Sequence, residues 1–183
     1  MRLMVEELAG NWEAIDALTG ETELAVADNV PTPCTFNPRS LLVCSLASMH
    51  AGDHAESRRL ESSADALGME GYGLTIDAPR VRLALVRGDL ETVEQLLAQP
   101  GEAMHFALLA AVAARLDGLV ALRDRGRIEA ESPALIRPNT YLEPFALRAL
   151  GLVREEKQLV TQALGRFEAL GLDWHAAETR ALL

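Results

Sequence analysis

ALVRGDLETVEQLL (84–97) and GLVREEKQLVTQAL (151–164) align without a gap at an offset of 67 residues, with six of fourteen positions identical. The matches include Leu85/Leu152, Val86/Val153, Arg87/Arg154 and Val93/Val160. Each stretch reads as the end of one helix, a short polar turn and the start of another. Half the offset is about 34 residues, within the range of helix-pair repeats.

Other turns fill the series. AGNW (9–12), AGDH (51–54), RGDL (87–90) and LDGL (116–119) each set glycine beside Asn or Asp. With Glu155 standing in for the missing glycine, the turn positions are 10, 52, 88, 118 and 155, spaced by 42, 36, 30 and 37 residues. Leucine follows eight positions later in three of them, at Leu18, Leu60 and Leu96. Glycine accepts the left-handed conformation that ends a helix, and Asn or Asp caps the next one through its side-chain oxygen. Asp53 with Glu56 fits a capping box. Pro38, Pro79 and Pro144 suit helix first turns, where a missing N–H is harmless.

These signals predict helices near 3–9, 12–19, 38–51, 54–67, 79–87, 90–98, 102–116, 119–125, 144–154, 156–170 and 174–182. Irregular connectors are expected near 20–37 and 127–143. The nearest approach to strand alternation, ELAVADNV (23–30), falls in the first of them. Gly165 inside QALGRF costs about 1 kcal/mol against alanine in a helix, which predicts close approach of a neighbouring helix there. The expected fold is all-α, a single domain over 1–183. A hairpin cannot bury its apolar face alone, so about five of them stack into an α-α superhelix.

Composition narrows the function. The net charge of −10 and an aromatic content of 4% argue against a nucleic-acid surface, which needs basic faces and stacking platforms. Cys34 and Cys44 form no CxxC pair, and they read as reduced thiols of a cytoplasmic protein. Met1-Arg2-Leu3-Met4 runs into Glu6-Glu7 with no signal-peptide pattern. The longest nearly apolar run, MHFALLAAVAARL (104–116), is shorter than the roughly 20 residues of a membrane span. Of seventeen basic residues only Lys157 is lysine, in the polar helix start REEKQ. Phosphate loops and Schiff-base chemistry, which depend on a placed lysine, are thereby disfavoured. The arginine and alanine bias fits a GC-rich bacterial source.

The turn pattern in GNWEAIDAL and in AGDHAESRRLESSADALG, with Ala64 near the small position, resembles the tetratricopeptide repeat. ALRALG…RFEALGLDWHAAETRALL is similar to the C-terminal ends of bacterial regulators that carry helical repeats behind an ATPase or nucleotide-cyclase module. Neither catalytic module has a counterpart here. The resemblance implies the regulatory repeat part of a signalling protein.

Each candidate site has a plainer reading beside the functional one. In EALGLDWHAAE, Gly171 ends a helix and Asp173 caps the next, which places Trp174 with Ala177 and Ala181 on a core face and turns His175 outward. His50 and His54 are spaced like metal ligands, but Gly52-Asp53 breaks the helix between them, so a solvated turn and no metal is expected. GMEGYG (68–73) lacks phosphate-loop spacing and reads as a connector beginning with a helix stop at Gly68. Arg123, Arg125 and Arg127 read as a solvated helix C-terminus.

No catalytic constellation and no cofactor motif emerges. The favoured expectation is a non-catalytic module whose first helices line a concave groove for a peptide or helix of another protein. Polar side chains on those otherwise apolar helices, Arg80, Arg82, His105 and Arg148, are the candidate partner contacts, with arginines gripping carboxylates. The alternative is a sensor that folds round a small molecule, with His105 at one end of the pocket. Self-association into a homodimer is a third reading.

Overall fold

The computed structural model describes residues 2–32, 34–68, 74–98 and 107–183. Among them there is no strand, and helix accounts for 79% of the structure, as the all-α expectation required. The helices are α1 (Arg2–Ala9), α2 (Trp12–Asp16), α3 (Thr19–Asn29), α4 (Phe36–His50), α5 (His54–Asp65), α6 (Leu74–Arg87) and α7 (Leu90–Ala98). There follow α8 (Leu108–Ala121), α9 (Arg125–Glu131), a 3₁₀ turn at Ser132–Leu135, α10 (Leu142–Arg154), α11 (Lys157–Ala169) and α12 (Asp173–Arg180). None of these is long and apolar enough to cross a membrane. The chain divides into two compact units, Met1–Ala111 and Val112–Leu183.

One turn geometry recurs in both units. Gly10, Gly52, Gly88, Arg123, Glu155 and Gly171 all have positive φ, between 54° and 83°. Each donates its N–H to the carbonyl three residues back, and its successor donates to the carbonyl five residues back. In the pair after α4, Gly52 reaches Met49 at 3.1 Å and Asp53 reaches Ser48 at 2.9 Å. After α10, Glu155 reaches Leu152 at 3.4 Å and Glu156 reaches Gly151 at 2.8 Å. This is the double bond set that closes a helix end on a left-handed residue. The successor is then the cap of the next helix. Asp53 accepts from the Glu56 N–H at 2.9 Å, Asp89 from Thr92 at 3.1 Å and Asp124 from Arg127 at 2.9 Å. Five residues past each left-handed position the chain is buried, at Ile15, Ser57, Val93, Ile128, Val160 and Ala176.

Several expectations are corrected. The connector at 20–37 is largely helix, α3, with Val26 its buried residue. The connector at 127–143 holds most of α9 and the 3₁₀ turn. The turn placed at Gly118 lies at Arg123-Asp124 instead, and α8 runs straight through the glycine. The first-turn role holds for Pro38 and Pro144, whereas Pro79 lies inside α6. Glu56 completes half a capping box: its carboxylate turns forward to Arg59, and Asp53 gives its N–H to Ser48. Of the helix expected over 102–116, residues 102–106 lie outside the described residues and α8 starts at Leu108; GMEGYG beyond Gly68 also lies outside them.

In the first unit α4 is the centre. From Asn37 to Met49 all but Ser40 are buried, and the helix packs on α2, α3, α5 and α6. A helix surrounded on every side needs no polar stripe, and LLVCSLASM (41–49) supplies none except Ser45 and Ser48. Ser45 is satisfied by Ser57 on α5 at 2.9 Å, and Ser48 by Asp16 on α2 at 3.3 Å. Arg39, 2% exposed, donates to both oxygens of buried Glu7 at 2.8 and 2.6 Å and so fastens α1 to α4. In the second unit α10 packs on α9, the 3₁₀ turn and α11, and α12 packs on α11.

The aligned segments do equivalent work. Arg87, at the end of α6, bonds Glu61 of the preceding α5 at 3.0 Å; Arg154, at the end of α10, bonds Glu129 of the preceding α9 at 3.0 Å. Close helix approach falls at Gly151, not Gly165. A Cβ on Gly151 would sit 2.8 Å from Val160 Cγ2 and 2.9 Å from its backbone nitrogen, whereas nothing lies within 4 Å of one on Gly165.

Two pairs of substitutions check this geometry by thermal or denaturant unfolding. Glu155→Gly is expected to stabilise the chain by about 1 kcal/mol, because a side chain is strained in the left-handed region, and Gly88→Glu to destabilise it similarly. Gly151→Ala should cost about 1–3 kcal/mol by overpacking, while Gly165→Ala should gain up to about 1 kcal/mol.

Candidate binding surface

Arginine makes up sixteen of the seventeen basic residues, so what each guanidinium touches largely defines the polar surface. Most are tied to acids: Arg59 to Glu56 and Glu23, Arg115 to Glu131, Arg125 and Arg154 to Glu129, Arg127 to Asp124. Among the described residues, Arg58, Arg82, Arg123 and Arg137 have no ion pair. Three of these are exposed and solvated. Arg82 is not: it is 7% exposed, and its buried Nε has no hydrogen-bond partner.

The structure separates the four predicted contacts. Arg80 is half-buried and donates to Asp65 of α5 at 2.6 Å, on the wall of a cavity of about 210 Å³ with Glu61, Arg87 and Thr92. Arg82 stands two residues on, about 200° round α6, and so faces away from that cavity. Val86, one turn further along the Arg82 face, is 46% exposed. Arg148 is 8% exposed and committed internally. It donates to Asp117 of α8 at 2.6 Å and to Thr179 of α12 at 3.1 Å. Its guanidinium carbon lies 5.1 Å from the Phe167 ring centre and 5.3 Å from that of Phe145, within cation–π range. His105 lies outside the described residues.

Beside Arg82 are two aromatic groups. His50, the last residue of α4, stacks on Trp12, the first of α2, with ring centres 4.8 Å apart and planes 16° from parallel. Burial of that ring face and the positive charge of Arg82 both hold the His50 pKa below its ordinary 6.5. His50 is therefore neutral at pH 7 and the local charge is that of Arg82 alone. His54 turns to the Met49 sulfur at 2.9 Å, so the two histidines do not converge. Among the described residues no three His, Cys, Asp or Glu side chains could hold a metal ion.

A second concavity, about 410 Å³, opens between α1, α3 and α4, lined by Arg2, Leu18, Glu21, Thr22, Asn29 and Asn37. Asn29 donates to Asn37 across its floor at 3.1 Å. Cys44 is buried, and burial raises its thiol pKa, partly offset by Thr19 and Thr22; Cys34 is half-buried, and both are free.

Trp174-His175 takes the reverse of its expected arrangement. His175 is fully buried, with ring centres 4.8 Å from Phe145 and 5.5 Å from Phe167. Trp174 is half-buried and meets His175 edge-on, while Ala177 and Ala181 are exposed. The reason is a one-residue shift: Leu172 is the cap and Asp173 already helical, which rotates every later side chain by about 100°. Arg123 does close the C-terminal end of α8, as expected, whereas Arg125 and Arg127 lie in the first turn of α9.

Comparison with protein-family profiles, curated proteins and solved structures found no match to this chain.

The two environments differ in their response to mutation. Arg148→Ala takes a buried guanidinium away from part-buried Asp117 and from two phenyl rings and should cost about 2 kcal/mol, whereas Arg80→Ala, at a half-exposed pair, should stay within about 1 kcal/mol. The His50 shift has a direct check in an NMR titration of its ring protons. Its pKa should lie below 6.5 and rise when Arg82 is replaced by methionine. The unfolded chain takes up this proton near 6.5 and the folded one resists, so stability falls as pH drops through that value. Arg82→Met should reduce that loss.

Proposed function

We propose that this chain is a helix-hairpin repeat module, built like a tetratricopeptide superhelix, that binds another protein without catalysing a reaction. The observation that carries the reading is Arg82, 7% exposed with its Nε unpartnered and without an acid among the described residues, on a first helix packed beside the equivalent helix of the preceding hairpin. The repeated turns support it, because the same turn joins paired helices in each unit, and a hairpin of this kind must bury its apolar face on a neighbour. Regulation rests on the resemblance of the sequence alone, a bacterial source also on its arginine and alanine bias, and a cytoplasmic setting on its two cysteines; all three belong to this proposal.

A second reading is favoured by the concavity of about 410 Å³ in the first unit, whose polar floor at Asn29 and Asn37 suits a small effector. Selection from a displayed random-peptide library on the intact chain tests the first reading. Enrichment of a shared peptide pattern, competed by the free synthetic peptide, is the expected result. If no pattern emerges while a metabolite screen finds a compound that raises the melting temperature, the sensor reading replaces it.

A further inference from the structure

We infer that Arg82 is the receptor for an acidic side chain of the partner protein: an internal Asp or Glu flanked by an apolar residue that packs on Val86. This rests on the interaction-module reading above and names its chemistry. A charge buried without a counter-ion is costly, and chains keep such groups only where something compensates them. The other buried arginines show the local rule. Arg39 is answered by Glu7 and Arg148 by Asp117, each on a neighbouring helix of the same unit. Arg82 is equally buried and has no such partner among the described residues.

Charge selects the ligand. With His50 neutral on Trp12, the site carries a single positive charge inside a chain of net charge −10. One guanidinium matches one carboxylate, through paired N–H donors on planar oxygens. A phosphate dianion would bring an unanswered second charge into an acidic protein. Proximity to the surface selects the setting. Leu85 is half-buried and Val86 is exposed on the turn after Arg82, so the guanidinium lies under a thin apolar margin. A hydrophobic residue beside the acid would cover that margin and exclude water from the ion pair.

The probe is the capped peptide acetyl-Leu-Glu-Leu-amide, whose only carboxylate is the side chain, titrated into the intact chain while the Arg82 Nε–H resonance is followed by NMR. The resonance should shift with saturation, and the glutamine version of the peptide should bind about 10- to 100-fold more weakly. Arg82→Met should abolish the effect and raise the melting temperature of the free protein, because it removes an uncompensated buried charge. A merely structural arginine would lower it. No shift, an equal response to the glutamine peptide, equal binding of acetate or inorganic phosphate, or a lowered melting temperature would each overturn the assignment. Should the enriched library peptides bind the wild-type chain and the Arg82→Met variant alike, the interaction module stands and this inference falls. Should the Glu tripeptide shift Nε–H while no library peptide is enriched, the carboxylate site stands and the module reading falls.

Discussion

A helix can stop and restart within two residues only if its last carbonyls find donors and the next helix finds a cap. The left-handed turn meets both needs at once, and the architecture depends on it. One residue takes positive φ and closes on the carbonyl three back; its neighbour closes on the one five back and then caps the following helix. Glycine occupies four of these six positions, where it is free of strain. Arg123 and Glu155 adopt the same conformation against the preference of their Cβ atoms, held by the same backbone bonds. The caps at Asp89 and Asp124 keep their carboxyls ionised below the usual range, through bonds from Thr92 and Arg127 respectively. Their contribution is present above about pH 3.8 and lost as acid protonates them.

Hairpins fixed in this way still have to be joined to one another, and arginine does much of that work. Arg87 and Arg154 reach back from the end of one helix to a glutamate on the helix before. Deeper pairs, Glu7–Arg39 and Asp117–Arg148, join helices distant in sequence. Long planar cations paired with acids permit polar cross-links where aliphatic packing alone would leave helices free to slide. Against that pattern Arg82 is buried with no acid paired to it among the described residues, and the functional reading grows from that difference.

The turns carrying glycine with Asn or Asp are legible in the sequence, and the alignment of 84–97 with 151–164 recovers Glu155, which has no turn signature of its own. Arg123-Asp124 is not legible, because arginine is a poor predictor of positive φ and Gly118, five residues earlier, offers a better one. Helix α3 is hidden by a sequence with little amphipathic contrast, since Val26 is its one buried side chain. His175 turns on a single residue of cap register, which suffices to exchange inside for outside on a helix. At the binding surface, sequence can nominate Arg80, Arg82 and Arg148 as cations on apolar helices. It cannot say which of them meet acids, because Asp65 and Asp117 come from other helices, 15 and 31 residues away.

Native-state hydrogen exchange tests the turn most directly, residue by residue. The N–H groups of Asp53, Asp89, Asp124 and Glu156 should exchange as slowly as the helix amides beside them, because each is bonded to a carbonyl five residues back. Exchange at open-chain rates at these positions, with the flanking helices still protected, would contradict the hairpin geometry and the surface built on it.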